Sequence, residues 1–228
     1  MRGALRHAEK MRGRTGEFRD KGQGGFTLAE FVVATSIVIV LSAVALVNYR
    51  GASRGELLGR GAHTIAVDLR RVQNMALSAA LVPGPSGPTV PLGGYGIFFS
   101  GPAADRYILF ADRDGGQDYD ASSVPPERIE ERILEGRMRF TGFRAGGSTT
   151  NQPLVVIFCP PYAHTLLYTM NVTRGTGPCS GDQGTLQQSL TLMLGDSSGT
   201  FPSGRTVRDV RVYATGAIDI ASDQELGL

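Results

Sequence analysis

The segment that decides the fold is GFTLAEFVVATSIVIVLSAVALV, residues 25–47 of a 228-residue chain. From Phe31 to Val47 it has no charge, proline or glycine, and extending it back to Phe26 adds Glu30 as the only charge. As an α-helix the stretch from Phe26 to Val47 would span roughly 33 Å, enough to cross the hydrocarbon core of a bilayer. Valine and isoleucine favour strands in water. In lipid, however, the backbone must satisfy its own hydrogen bonds, so we expect a helix.

Basic residues are concentrated before this segment. Residues 1–25 hold seven Lys and Arg against three Asp and Glu, a net charge of +4, whereas the whole chain carries +2. Because basic flanks stay in the cytoplasm, we expect a cytoplasmic N-terminus, one pass through the inner membrane, and a periplasmic or extracellular body after about Tyr49. The overall charge is too small to indicate a nucleic-acid binder by composition alone.

Small residues stand before the apolar segment, whereas a secretory signal carries its small-residue cleavage site after the apolar core. Cutting after Gly25 would leave the helix on the mature chain and place a new ammonium at Phe26, about 6 Å along the helix axis from Glu30. A carboxylate in an apolar segment is costly. The amine of a neighbouring chain would neutralise it and set the register of adjacent helices. The alternatives are a glycine hinge before an uncleaved anchor and a Glu30 side chain that reaches the membrane interface.

The run Gly25-Phe-Thr-Leu-Ala-Glu30 and its apolar helix closely resemble the N-terminal signature of type IV pilins and type II secretion pseudopilins. The resemblance implies cleavage between Gly25 and Phe26 by prepilin peptidase and N-methylation of Phe26. It also implies a role for Glu30 in filament assembly with other pilin or pseudopilin subunits. Val47 stands where many major pilins have a helix-bending proline, and the mature chain is longer than many compact major pseudopilins. Both departures favour a minor subunit.

The residues after the membrane segment predict an amphipathic helix that continues it as a stalk. Glycines at 51, 55 and 59 recur every fourth residue, a pattern that suits either close helix approach or a plain linker. We expect the helix to end near Leu81, before Pro83-Gly84-Pro85. Apolar residues at alternating spacings of four and three predict one buried stripe: Leu58, Ala62, Ile65, Leu69, Val72 and Ala76.

The rest of the chain predicts antiparallel strands, at 95–100, 106–111, 137–143, 154–158, 166–172, 189–194, 206–214 and 217–220. We therefore predict an α+β fold in which a long N-terminal helix packs on an antiparallel β-sheet. Its parts are a leader (1–25), a transmembrane helix (26–49), a stalk helix (50–82) and a sheet domain (83–228). The tail VRVYATGAIDI (210–220) and the stretch LRRVQNMA (69–76) resemble H-type pseudopilins and FimT-like minor pilins, which implies the pilin-like fold.

Four aspartates crowd the glycine-rich stretch at 112–120: Asp112, Asp114, Asp118 and Asp120. Clustered carboxylates on a turn suit a hard cation such as calcium. The stretch lacks the glycine and the closing glutamate of EF-hand spacing, and Arg113 offsets part of its charge. A solvated hairpin tip is therefore the alternative. No other cofactor is predicted.

Cys159 and Cys179 are the two cysteines of the chain. In the cytosol they would be two buried thiols. Export predicts a disulfide between them, which would add roughly 3 kcal/mol of stability by closing the intervening loop.

Three arginines near the C-terminus, Arg205, Arg208 and Arg211, are candidates for a basic strip that contacts DNA phosphates. Asp209 interrupts them and no aromatic residues are interleaved for base stacking, so ordinary sheet-surface charges are the alternative. A GDSSG motif at 195–199 suggests a serine nucleophile, but no histidine has an identifiable orienting acid. We therefore expect no enzymatic activity.

Together these features predict a minor pilin or pseudopilin, a structural and assembly subunit of a type IV pilus or a type II secretion pseudopilus. It would be held in membrane lipid before joining the filament. The alternatives are a DNA-binding minor pilin for DNA uptake and a bitopic membrane protein of another function.

Overall fold

A computed structural model describes residues 25–84, 87–170, 179, 187–196 and 208–222, with side chains for all of these except 47–54 and 222. The chain divides into two compact units, residues 1–47 and 48–228. Its elements are α1 (Leu28–Leu77), β1 (Gly94–Phe99), β2 (Arg106–Asp112), β3 (Arg128–Ile133), β4 (Met138–Ala145), β5 (Ser148–Thr150), β6 (Leu154–Cys159), β7 (His164–Thr169), β8 (Ser189–Asp196), β9 (Arg208–Tyr213) and β10 (Ile218–Ser222).

The first unit contains the apolar start of α1. Leu28–Leu46 has a mean hydropathy of 2.3, and none of this stretch is buried within the protein. Thr35 and Ser36 donate their hydroxyl groups to the carbonyls of Phe31 and Val32, so these polar side chains are satisfied inside the helix. This segment is long and apolar enough to cross a membrane.

Helix α1 runs to Leu77 without a break at the glycines at 51, 55 and 59. It ends four residues before the predicted Leu81. Ala79 takes a left-handed conformation (φ 45°), and the N–H of Ala80 donates to the carbonyl of Met75 at 2.9 Å. Such a turn usually carries glycine. Because alanine stands at this position, the helix end could not be recognised there from the residue type.

The stripe predicted on the second part of the helix is confirmed. All six of its residues, from Leu58 to Ala76, are at most 2% exposed. They pack into one core with inward residues of β1, β4 and β8, among them Tyr95, Phe140 and Leu192. Burial of this stripe fixes which face of the helix meets the strands.

The strands form two five-stranded antiparallel sheets rather than the single predicted sheet. Their orders are β3-β2-β1-β6-β7 and β10-β9-β8-β4-β5. β6 is buried at every position, and it pairs with β1 in the first sheet, which is apolar on both faces. The second sheet has one buried face, as antiparallel sheets often do. A register shift between Phe140 and Gly142 turns both Phe140 and Phe143 inward.

Two strands were missed in the sequence. β3 reads RIEERI and is an edge strand whose side chains are exposed or half-buried. It has no apolar face, and its glutamates form ion pairs with arginines of β2 and α1 instead. Arg106 lies 3.0 Å from Glu131, and Arg71 lies 2.6 Å from Glu130. β5 has only three residues, Ser148–Thr150, too few to show a pattern.

Candidate functional site

The beginning of α1 is closed by a reciprocal pair of side chains, Thr27 and Glu30. The backbone N–H and the hydroxyl of Thr27 donate to Oε2 of Glu30 at 2.9 and 3.0 Å. The N–H of Glu30 donates to the Thr27 hydroxyl oxygen at 3.2 Å. This Thr-x-x-Glu arrangement is a capping box, which satisfies N–H groups that a helix start leaves unpaired.

One oxygen of Glu30 remains open. Within the described residues, Oε1 accepts no hydrogen bond, whereas Oε2 is held by Thr27. A carboxylate has room for about four hydrogen bonds, so a cation from outside the chain can bind Glu30 without displacing Thr27. The capping box therefore orients the carboxylate and leaves half of it available.

The peptide bond between Gly25 and Phe26 precedes the helix. Phe26 is 90% exposed, and Gly25 has nothing within 4 Å of the position where a Cβ would stand. α1 begins at Leu28 rather than at the predicted Phe26. The bond lies outside the helix and next to an exposed side chain, so it is accessible to a peptidase.

The aspartate-rich stretch folds around two buried carboxylates. Asp112 ends β2, and its two oxygens accept the backbone N–H groups of Gly115 and Gln117 at 2.8 and 2.6 Å. Glu127 accepts the N–H groups of Arg113 and Asp120 at 3.1 and 2.9 Å. The loop is thus closed by the protein's own hydrogen bonds.

The structure brings together only part of the predicted calcium set. Among the described residues, carboxylate oxygens of Asp112, Asp114 and Glu127 lie within 4.8 Å of one another. Asp118 and Asp120 are not in this group, and Asp120 accepts the N–H and hydroxyl of Ser122 instead. A calcium ion at this loop stays a prediction.

Glu127 is the residue that the sequence interpretation missed. It lies fifteen positions after Asp112 and arrives there because its carbonyl accepts the N–H of Ala111 at 2.9 Å, next to the pairing of β2 with β3. A prediction of β3 as a strand would have indicated that Glu127 lies next to Asp112. The charged sequence of β3 lacks the alternating apolar pattern by which strands are recognised.

Burial dominates the electrostatics of this loop. It raises the pKa of Asp112 from 3.8 to about 7, helped by the charge of Glu127 and opposed by the N–H group of Gln117. It also raises the pKa of Glu127 above its ordinary value. A Cβ on Gly93 would lie 1.7 Å from Oδ2 of Asp112, so only glycine leaves space for the buried carboxylate.

Cys159 and Cys179 form a disulfide with a Cα–Cα distance of 5.6 Å. Cys159 ends β6 on the outer face of the first sheet, in a cluster with Phe110, Ile157 and Tyr168. Gly94 lies beside it with a φ of 95°, and a Cβ there would meet the Phe158 carbonyl at 2.5 Å. The disulfide therefore anchors the chain around residue 179 to this second apolar cluster.

The candidate DNA-binding arginines do not share one face. Arg205 lies outside the described residues. Arg208 and Arg211 are three positions apart on β9, so they point to opposite sides of the sheet. Arg208 borders a groove beside α1, whereas Arg211 lies 3.9 Å from Asp209. The GDSSG motif is described only to Asp196, at the end of β8.

No family model, curated protein or solved structure matches this chain.

Proposed function

We propose that this protein is a pilin-like subunit whose leader is removed between Gly25 and Phe26 by prepilin peptidase. The observation that carries the proposal is the sequence of features at the start of α1. An exposed, unpacked Gly25–Phe26 bond is followed by a capping box and then by an apolar helix without internal burial. The leader is basic, so the proposed topology leaves it in the cytoplasm and exports the sheet-containing body.

Cleavage would give the chain a cation suited to Glu30. The new ammonium at Phe26 lies near the helix start, and methylation of that amine keeps its positive charge. The Oε1 atom of Glu30 has no hydrogen bond within the described residues. In a filament the amine of one subunit would bind this oxygen on its neighbour and fix the axial register of the two helices.

The structural role that follows is that of a minor subunit of a type IV pilus or a type II secretion pseudopilus. The apolar helix would leave the membrane and join the helices of the filament core, and the body of the protein would face outward. The second sheet and the ion-paired β3 edge supply the polar outer surface. No enzymatic step is proposed.

The first test is the intact mass of the membrane-extracted protein after co-expression with active prepilin peptidase. We expect the loss of residues 1–25, the addition of one methyl group, and a mass two hydrogens below that of the dithiol. A Gly25→Leu variant should keep its leader, because a large side chain replaces the small residue at the cut. Glu30→Gln should still be cut but should lose co-purification with other subunits. An intact leader on the natural sequence would reject the proposal and favour a bitopic membrane protein of another function.

DNA binding is the competing class for the body of the protein, and the divergence of Arg208 and Arg211 gives it no support. It is tested by salt-dependent DNA binding that is lost when Arg205, Arg208 and Arg211 are all changed to alanine.

A further inference from the structure

The second unit carries a groove beside the start of its helical part. This basic groove has a volume of about 800 Å³. The helix backbone at Gly55 and Gly59 forms one wall, and a Cβ at either glycine would meet nothing within 4 Å. The side chains that matter for its chemistry are Arg60, His63, Arg132, Ile133, Met138 and Arg208.

Some of the charged side chains that line the groove already form ion pairs. Arg60 pairs with Glu56, and Arg132 pairs with Asp68 at 3.3 Å. Glu135 also borders the groove. Arg208 makes no ion pair with any residue that the structure describes. The groove is lined by three arginines and by two carboxylates, Glu56 and Glu135, so its lining is positive by one charge. Ile133 in the same lining is 65% exposed.

A second surface combines aliphatic residues with carboxylates. This acidic pole is a cavity of about 620 Å³ lined by Val90, Leu92, Asp114, Asp120 and Val124, among others. Leu92 is 57% and Val124 is 94% exposed. Asp114 and Asp120 form no ion pair within the described ranges.

The guanidinium of Arg113, which lines the acidic pole, already makes hydrogen bonds within the chain. Arg113 donates through Nε to the carbonyl of Pro126 at 3.1 Å and through Nη1 to the carbonyl of Pro83. Its guanidinium thus ties two loops together. These carbonyls are neutral and leave the charge of Arg113 in place, but the lining carboxylates Asp114, Asp120 and Glu127 outnumber it.

The two surfaces lie at opposite ends of the second unit. Met138, in the basic groove, packs against Gly61 near the start of the stripe. Near the acidic pole, the hydroxyl of Tyr95 donates to the carbonyl of Ala80, and Arg113 reaches Pro83 beyond the helix end. The helical residues from 60 to 77 alone separate the ends by roughly 25 Å.

We propose that the acidic pole of one copy of this chain docks in the basic groove of the next copy. The pole presents the carboxylates of Asp114 and Asp120 with exposed Val124. The groove presents Arg208, which forms no ion pair with a described residue, with exposed Ile133, so charge and apolar surface match at once. Because the two surfaces differ, the contact is head-to-tail and repeats in one direction, as a filament requires. The inference rests on the proposed filament role and names the surfaces through which successive bodies meet.

The contact is tested on the full processed chain in its membrane by photo-crosslinking. A benzoylphenylalanine placed at Ile133 should crosslink to the peptide that contains Val124. In an equal mixture of ordinary and ¹⁵N-labelled chains, mixed-label products would establish that two copies are joined. Arg208→Glu should lower the yield of this product roughly fivefold, as expected for loss of a partly exposed charge pair. Asp114→Arg should lower it similarly, and a chain with both changes should regain it.

The matched control is Arg70→Glu, which makes the same charge change on an exposed helix position outside both surfaces. It should leave the yield unchanged. Crosslinks from Ile133 only to lipid, to another protein or to another region of the chain would overturn the inference, as would a yield that Arg208→Glu does not change. Leader removal is scored in the same samples by mass. A cut chain without the crosslink rejects the docking alone, and an uncut chain rejects the proposed function and with it the docking.

Discussion

Replacing Asp112 by asparagine should remove much of the pH dependence of stability between pH 5 and pH 8. The folded pKa of Asp112, about 7, lies above its ordinary value of 3.8, so the folded protein binds a proton that the unfolded chain releases. Stability from this group is fully present below about pH 3.8 and is lost as the pH rises through about 7. The two pKa values correspond to a loss of roughly 4 kcal/mol in all, of which roughly 2–3 kcal/mol falls between pH 5 and pH 8.

Asparagine keeps the shape of the side chain but carries no titrating charge. Its amide nitrogen cannot accept a hydrogen bond, so either Gly115 or Gln117 loses an acceptor. This costs about 1–3 kcal/mol at every pH. The informative quantity is therefore the stability of the variant minus that of the natural protein. We expect this difference to increase by roughly 2–3 kcal/mol from pH 5 to pH 8.

The measurement is thermal unfolding of the full processed chain in detergent with a chelator, followed by tyrosine circular dichroism because the chain has no tryptophan. The relative midpoint of the variant should rise by roughly 5–10 °C between pH 5 and pH 8. Asp105→Asn is the matched control. Arg106 lowers the pKa of Asp105, so that exposed carboxyl titrates below the window. If the stability of the variant minus that of the natural protein stays constant or falls as the pH rises, the pKa of Asp112 is not raised in the folded protein.

Three further changes test the packing around these sites. Tyr107→Phe should destabilise the protein by about 1.5–3 kcal/mol in denaturant unfolding. The reason is that buried Asp68 loses the hydroxyl that donates to it at 2.7 Å; an unchanged midpoint would contradict this. Reduction of the Cys159–Cys179 disulfide, or Cys159→Ser, should cost about 3 kcal/mol by the same assay, and equal midpoints with and without reductant would contradict it. Millimolar calcium should raise the thermal midpoint by less than about 1 °C, since only three carboxylates of the described residues converge at the loop, whereas calcium takes roughly six to eight oxygen ligands; a larger rise that Asp114→Asn abolishes would instead establish a calcium site.

Features set by neighbours along the chain were predictable from the sequence. The buried stripe of α1 depends on residues three and four apart, and each of its six members is buried. The antiparallel strands predicted at 95–100 and 106–111 are present as β1 and β2, which pair with each other. β3 was not predictable in this way. Its side chains are stabilised by cross-strand ion pairs such as Arg106–Glu131, and these partners are distant in the sequence.

The same distinction applies to the candidate sites. Glu30 belongs to a short contiguous motif, which was enough to single it out, although its contact with Thr27 and its open oxygen required coordinates. Glu127 joins Asp112 only through the pairing that follows β2. Of the predicted strip of Arg205, Arg208 and Arg211, the two described arginines do not share a face, because three positions along a strand reverse the side-chain direction.

The proposed filament contacts therefore differ in how they could arise. Leader cleavage and the pairing of Glu30 need only a contiguous segment, which any body could follow. The basic groove draws residues from Arg60 to Arg208, so it exists only when α1, β3 and β9 are assembled in one folded unit. An unfolded body could still be processed, but it could not dock. Head-to-tail docking would thus include in the filament only subunits whose exported body has folded. The crosslink at Ile133 would therefore measure folding as well as assembly.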